Sequence, residues 1–231
     1  MLDIVFISYN EPNADDNWRA LVSRFPYARR IHGVVGIHQA HKTAANLFGL
    51  TEKFWVVDGD TQIEESFTFT PPHDLWDDAV YVYRARNPVN NLIYGYGGLK
   101  LLPKIQTSMM NVNNTDMSTS ISKNFFIIDK VASVTCFNTD PFNTWKSAFR
   151  ECVKLSSKII DNQVNVETEE RLNVWCTLGQ DQPHGQWCIK GAQLGRKYGI
   201  LNTNNYDALK KINDFNWLQN KFNSSMPKLT E

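Results

Sequence analysis

Asp58-Gly59-Asp60 follows directly on Lys53-Phe54-Trp55-Val56-Val57, an apolar run with a lysine at its start. A short run of this kind reads as a buried strand of a parallel sheet. Open α/β sheets bind ligands just beyond the carboxyl ends of such strands. Alternation along extended chain aims carboxylates at positions i and i+2 the same way, and glycine between them lets a ligand come close. Convergent carboxylates of this kind hold a hard divalent cation, Mn²⁺ or Mg²⁺, which in turn binds a diphosphate. The same three residues also suit a solvated turn, so their chemistry depends on the elements around them.

Asp3-Ile4-Val5-Phe6-Ile7-Ser8 is a second apolar run. Tyr9-Asn10-Glu11-Pro12 stops it, because the residue before proline is pushed out of the helical region. Residues 15–25 carry Trp18, Leu21, Val22 and Phe25 at helical spacing, with Asp15 or Asp16 as the cap. A strand over 28–35 and a helix over 38–50 come next, and the strand ending at Asp58 follows. This order predicts an α/β protein with a mostly parallel central sheet flanked by helices. Further strands are expected over 79–84 and 92–102, the second interrupted by Gly95, Gly97 and Gly98 as turns or bulges. The polar stretch 106–124 reads as a long loop, and 144–160 and 206–222 read as helices.

Ser8-Tyr9-Asn10-Glu11, Ala40-His41-Lys42-Thr43-Ala44-Ala45-Asn46 and Phe54 to Asp60 together resemble the first third of glycosyltransferases of the GT-A fold, family 2 type. The resemblance implies a single GT-A, Rossmann-like domain over 1–231. Residues 1–83 would be the nucleotide-sugar-binding half, 84–200 the acceptor half and 201–231 a helical tail. It places Tyr9, Asn10 and Glu11 in the base pocket and Lys42 near the diphosphate. Asp58 and Gly59 would lie at the ribose or metal, and Asp60 would be the principal metal ligand. Tyr94 to Lys100 resembles the glycine-containing strand and turn beside donor sugar and acceptor.

The family's acidic pair for the catalytic base is absent, and Asp140 to Glu151 occupies that stretch. Glu151 is the first base candidate and Asp140 the second, with the stereochemical outcome open. Glu151 equally suits a helix ion pair with Lys154 or Lys158. His184, in a Pro-Gly loop, resembles the late metal ligand of many GT-A enzymes. Cys176, His184 and Cys188 could instead begin a zinc site, but no fourth ligand stands near them in sequence.

At 231 residues, with 42% hydrophobic and 21% charged, the chain is neither disordered nor collagen-like. No apolar run approaches the ~20 residues that span a bilayer, so no membrane partner is expected. The first residues carry no basic leader, and the four cysteines form no C-x-x-C pair, which points to reduced thiols in the cytoplasm. Net charge is zero but uneven. Residues 1–83 hold 6 basic against 12 acidic side chains, and residues 84–158 hold 10 against 4.

The small single-domain form, the absence of a membrane anchor, and the stretches Tyr94 to Lys104 and Phe137 to Leu155 resemble small phage-encoded glycosyltransferases, and the basic middle is the physical support for a nucleic-acid acceptor. Some of these put arabinose or glucose on 5-hydroxymethylcytosine in double-stranded DNA, which would place the protein in a host cytoplasm. Lys100, Lys104, Lys123, Lys146, Lys154 and Lys158 are then candidates for phosphate contacts, and Tyr94, Tyr96 or Trp145 for stacking on an extruded base. The expected activity is transfer of sugar from a UDP-sugar, assisted by the metal. The alternatives are a saccharide or protein acceptor, a nucleotidyltransferase, and a non-catalytic sugar-nucleotide-binding module. A nucleotidyltransferase would normally carry a glycine-rich phosphate loop where Ser8 to Pro12 stands.

Overall fold

The computed structural model describes residues 1–95, 97–112, 116–160 and 163–225. The chain folds into two compact units, Met1–Phe137 and Asn138–Glu231.

The first unit runs β1 (Asp3–Ser8), α1 (Ala14–Arg24), β2 (Arg29–His32), α2 (Ile37–Ala45), β3 (Lys53–Asp58), β4 (Thr61–Ile63), β5 (Val80–Arg86), β6 (Ile93–Tyr94), β7 (Leu99–Pro103), α3 (Lys104–Met109) and β8 (Phe125–Thr135). The sheet order is β2-β1-β3-β7-β5-β8-β4, with β6 paired to β5. β2, β1 and β3 are parallel, as the strand–helix alternation requires, and β5 is parallel to β8. β7 runs antiparallel to both β3 and β5. Its first residues therefore lie beside the carboxyl end of β3, with Val57 opposite Leu99 and Val56 opposite Lys100.

Strand alternation gives the sheet two apolar faces. Ile4, Phe6, Trp55, Val57, Leu99 and Leu101 share one buried cluster with Ala14 and Leu21 of α1. Val5, Phe54, Val56, Val82 and Leu102 share the other with Ala44 and Ala45 of α2. Trp55 is fully buried and meets Phe67 and Phe69 edge-on, at ring separations of 5.8 and 5.4 Å. Truncating such a side chain to Ala costs about 3–5 kcal/mol.

The stretch read as a loop over 106–124 contains most of α3 and a short 3₁₀ turn at Ser118–Ser120. β8 has no counterpart among the expected strands. Asp129 and Lys130 bulge out of its pairing with β5, and Asp129 meets Arg84 at 2.9 Å.

The second unit is helical: α4 (Pro141–Ser157), α5 (Asn165–Thr177), α6 (Gly185–Leu201), α7 (Tyr206–Lys210) and α8 (Phe215–Ser225). Asp140 caps α4, accepting from Asn143 N at 2.8 Å, and Pro141 takes the first helical position. Trp145, Phe149 and Val153 of α4 share a core with Leu218 and Phe222 of α8. Gly191 and Gly195 of α6 press their backbones onto Trp145 and Phe149, where an added Cβ would overlap the carbonyl oxygens. Those atoms are backbone and cannot swing aside. Gly195→Ala is expected to destabilise this unit by about 1–3 kcal/mol despite its higher helix propensity. A thermal melt equal to the parent's would show that the two helices can separate freely.

Among the described residues, no helix is long and apolar enough to cross a membrane.

Candidate functional site

The carboxyl ends of β1 and β3 meet where Ile7 pairs with Asp58. After β1 the chain turns through Tyr9 to Glu11, and the Glu11 carboxylate closes the turn by accepting from Tyr9 N at 2.7 Å. Glu11 O then accepts from Ala14 N as α1 begins. A Cβ on Gly59 would stand 2.7 Å from Glu11 Oε2 and 3.0 Å from Ser8 Cβ. A side chain at this position would make the Glu11 carboxylate give way. The sequence motifs around Glu11 and Asp58 are thus in contact.

Backbone bonds pin the acidic turn. Asp58 N donates to Gly98 O at 2.9 Å, Asn17 Nδ2 donates to Gly59 O at 2.9 Å, and Cys136 N donates to Asp60 O at 2.6 Å. Asn13 Nδ2 holds Cys136 O at 2.9 Å, so the start of α1 braces the turn from two positions.

Lys100 supplies the main electrostatic feature, and it corrects the reading from sequence. A lysine expected at a DNA phosphate is 1% exposed. Its register partner Val56 lies two residues before Asp58 and on the same face, which brings the ammonium to that carboxylate. Lys100 Nζ donates to both Asp58 oxygens, at 2.9 and 2.8 Å, and to Gly97 O. All three of its N–H groups are then used. A lysine inside Leu99-Lys100-Leu101-Leu102 is the signal that sequence offers, since a charge in a buried run requires a partner.

His41 is a further residue of this region that no sequence motif singles out. Its Nδ1 donates to Ile37 O at 2.8 Å, which leaves Nε2 as an acceptor with no hydrogen-bond partner among the described residues. Burial lowers its pKa to about 4; the nearby Lys100 ammonium adds to the shift and Asp58 opposes it. Between pH 6.5 and about 4 the unfolded chain binds the extra proton and the folded one does not, so stability falls as pH falls through that window. The shift corresponds to about 3 kcal/mol. Urea midpoints should drop from pH 6.5 towards 4 in the parent and drop less in His41→Leu. Identical slopes would remove His41 as the cause.

Beside the end of β1, Arg30 Nε donates to Ser8 Oγ at 3.0 Å, and Ser8 Oγ lies 2.9 Å from His32 Nδ1. Arg30 also pairs with Asp15 at 2.7 Å and lies over Phe6 and Trp18. Arg30 is therefore tied into the β1–β2–α1 packing.

A solved structure of a glycosyltransferase involved in the glycosylation of the major capsid of PBCV-1 is similar to this chain. The similarity covers 73% of this chain and 97% of that one, at 13% identity and a TM-score of 0.35. No protein-family model and no curated protein matches the sequence.

Of the residues singled out from sequence, Tyr9, Asn10, Glu11, Lys42, Asp58, Gly59 and Asp60 belong to the first unit. Lys42 is half-buried on α2. Asp140, Glu151 and His184 belong to the second. Burial alone would raise the Asp140 carboxyl, but hydrogen bonds from Asn143 and Thr139 outweigh it and hold the carboxyl below its ordinary value. Glu151 lies on a buried face of α4, and His184 stands at the amino end of α6.

No three His, Cys, Asp or Glu side chains among the described residues are grouped as a metal site. Tyr94 and Trp145 are buried, so neither is free to stack on an extruded base. Tyr96 lies outside the described residues.

Proposed function

We propose that the protein transfers a sugar from a nucleotide-sugar donor, a UDP-sugar, to an acceptor hydroxyl, with a divalent cation shared between Asp60 and the donor diphosphate. The contact of the Glu11 turn with Asp58-Gly59-Asp60, at the carboxyl ends of adjacent parallel strands, carries this reading. That position suits a nucleotide. The residues fit a shared cation and do not fit a closed metal cage. Mg²⁺ and Mn²⁺ use one or two carboxylates and take their remaining ligands from phosphate and water. Both Asp58 oxygens accept from Lys100, and each keeps a second lone pair, so Asp58 stays a candidate at ribose or metal, with Asp60 as the principal ligand.

When bound, the cation would neutralise the charge that develops on the departing diphosphate. Tyr9, Asn10 and Glu11 would hold the base, and Lys42 would face the diphosphate. His184 as a further ligand and Glu151 as the base rest on the family resemblance. Asp140 is the weaker base, since its capping bonds favour the ionised form and reduce its pull on a proton. Glu151→Gln is expected to lower turnover by about 10²-fold with UDP binding intact. Unchanged turnover would remove Glu151 from the mechanism.

Release of UDP from a panel of UDP-sugars, with and without Mn²⁺, tests the reading. Metal-dependent release supports it. Turnover of UTP or CTP instead would favour nucleotidyl transfer, and UDP-sugar binding without turnover a binding module. Hydroxymethylcytosine DNA belongs in the acceptor panel beside oligosaccharides. Of the side chains that recommended DNA, Lys100, Tyr94 and Trp145 are enclosed, while Lys123 and Lys158 remain exposed.

A further inference from the structure

Two asparagines at the start of α1 form side-chain bonds that do nothing for the helix itself. Asn13 stands at its N-cap, where an asparagine side chain ordinarily accepts from an N–H of the first turn. No such bond forms. Instead Asn13 Nδ2 donates to Cys136 O at 2.9 Å, 123 residues away, and Asn13 Oδ1 is buried with no hydrogen-bond partner among the described residues. Asn17 follows one turn later on the same face. Asparagine is a weaker helix former than alanine, yet Asn17 Nδ2 reaches Gly59 O at 2.9 Å, 42 residues away. Local preference gives way at both positions to bonds with the acidic turn and its neighbour.

These bonds converge on Asp60. The direction of its side chain is set by the two peptide planes that flank its Cα, because each plane is rigid. The plane before it carries Gly59 O, which Asn17 holds. The plane after it carries Asp60 O, which accepts from Cys136 N at 2.6 Å, and Asn13 holds the carbonyl of Cys136. Both amides are neutral, so they fix the turn without adding charge beside the carboxylate.

Taking Asp60 as the metal ligand of the proposed transfer, we propose that Asn13 and Asn17 are positioning residues that set its affinity for the divalent cation. A cation that takes only one or two carboxylates from the protein loses affinity when it must also order the turn that carries them. A turn held in advance removes that cost.

The test measures Mn²⁺ binding by the full chain in the presence of UDP, from the electron paramagnetic resonance of free Mn²⁺, beside thermal melts and turnover. Asn17→Ala introduces a better helix former, and Asn13→Ser keeps a residue type suited to the N-cap. Asn17→Ala is expected to raise the Mn²⁺ dissociation constant about tenfold, which is about 1.4 kcal/mol and the scale of ordering one residue's backbone. Asn13→Ser, which acts through Cys136, should raise it about threefold. Turnover at saturating Mn²⁺ should stay within about twofold of the parent. Without metal, the Cys136 amide should exchange with solvent faster in Asn13→Ser than in the parent. Unchanged Mn²⁺ affinity in both variants, or a loss of turnover that excess Mn²⁺ does not restore, would overturn the proposal and leave Asp60 as the ligand. Absence of Mn²⁺ binding by the parent would overturn the assignment of Asp60 and this proposal with it. The two variants break separate bonds, so either one that folds decides the matter.

Discussion

Asp60→Asn is expected to lower sugar transfer by about 10²-fold or more while leaving the fold as it is. The turn that presents Asp60 is held through its backbone, by Cys136 N on Asp60 O, Asn17 on Gly59 O and Gly98 O on Asp58 N. None of these bonds uses the Asp60 carboxylate. Asn keeps the side-chain shape and removes the charge that binds a divalent cation beside a diphosphate. A hundredfold loss is about 2.7 kcal/mol of transition-state stabilisation, a plausible share for a metal acting on a leaving diphosphate. Turnover should be followed across a Mn²⁺ titration beside a thermal melt. Equal activity of variant and parent at limiting Mn²⁺, with equal melts, would exclude Asp60 as the ligand.

The first sixty residues are legible because their signals are local. Two apolar runs ended by turn chemistry, with amphipathic segments between, place β1, α1, β2, α2 and β3 within a few residues of where they lie. The contact of Glu11 with Gly59 follows from strands that are parallel neighbours. What sequence hides depends on pairings distant along the chain. β8 reads Phe-Phe-Ile-Ile-Asp-Lys-Val-Ala, and the bulge at Asp129 and Lys130 breaks its alternation. α6 carries Gly185, Gly191, Gly195 and Gly199, which propensity counts against a helix. Gly191, Gly195 and Gly199 instead allow the close approach to α4 that packs this helix. Lys100 misleads for the same reason: a charged side chain in a basic stretch reads as surface until the register with Val56 is known. Trp145 and Tyr94 read as exposed ligands, although large aromatics at helical or strand spacing usually go to the core.

Breaking the Lys100–Asp58 pair is expected to affect stability very differently according to which partner is removed. The Lys100 side chain is 2% exposed and that of Asp58 is 30%. Asp58→Asn leaves an ammonium enclosed among apolar side chains with Gly97 O and a neutral amide as partners. Removing one member of a buried pair costs about 3–5 kcal/mol, because the stranded charge must stay desolvated or give up its proton. Lys100→Met keeps most of the stem volume and leaves a carboxylate that water can reach, so about 1 kcal/mol is expected. Both variants should lose transfer, since Asp58→Asn removes the carboxylate at the first position of the acidic turn and Lys100→Met no longer holds it there. Urea unfolding of both single variants and the double variant checks this. The double variant should be more stable than Asp58→Asn alone, which is the coupling expected of groups in contact. Equal costs for the two single changes, or an additive double variant, would show that Lys100 is solvated and does not serve to position Asp58.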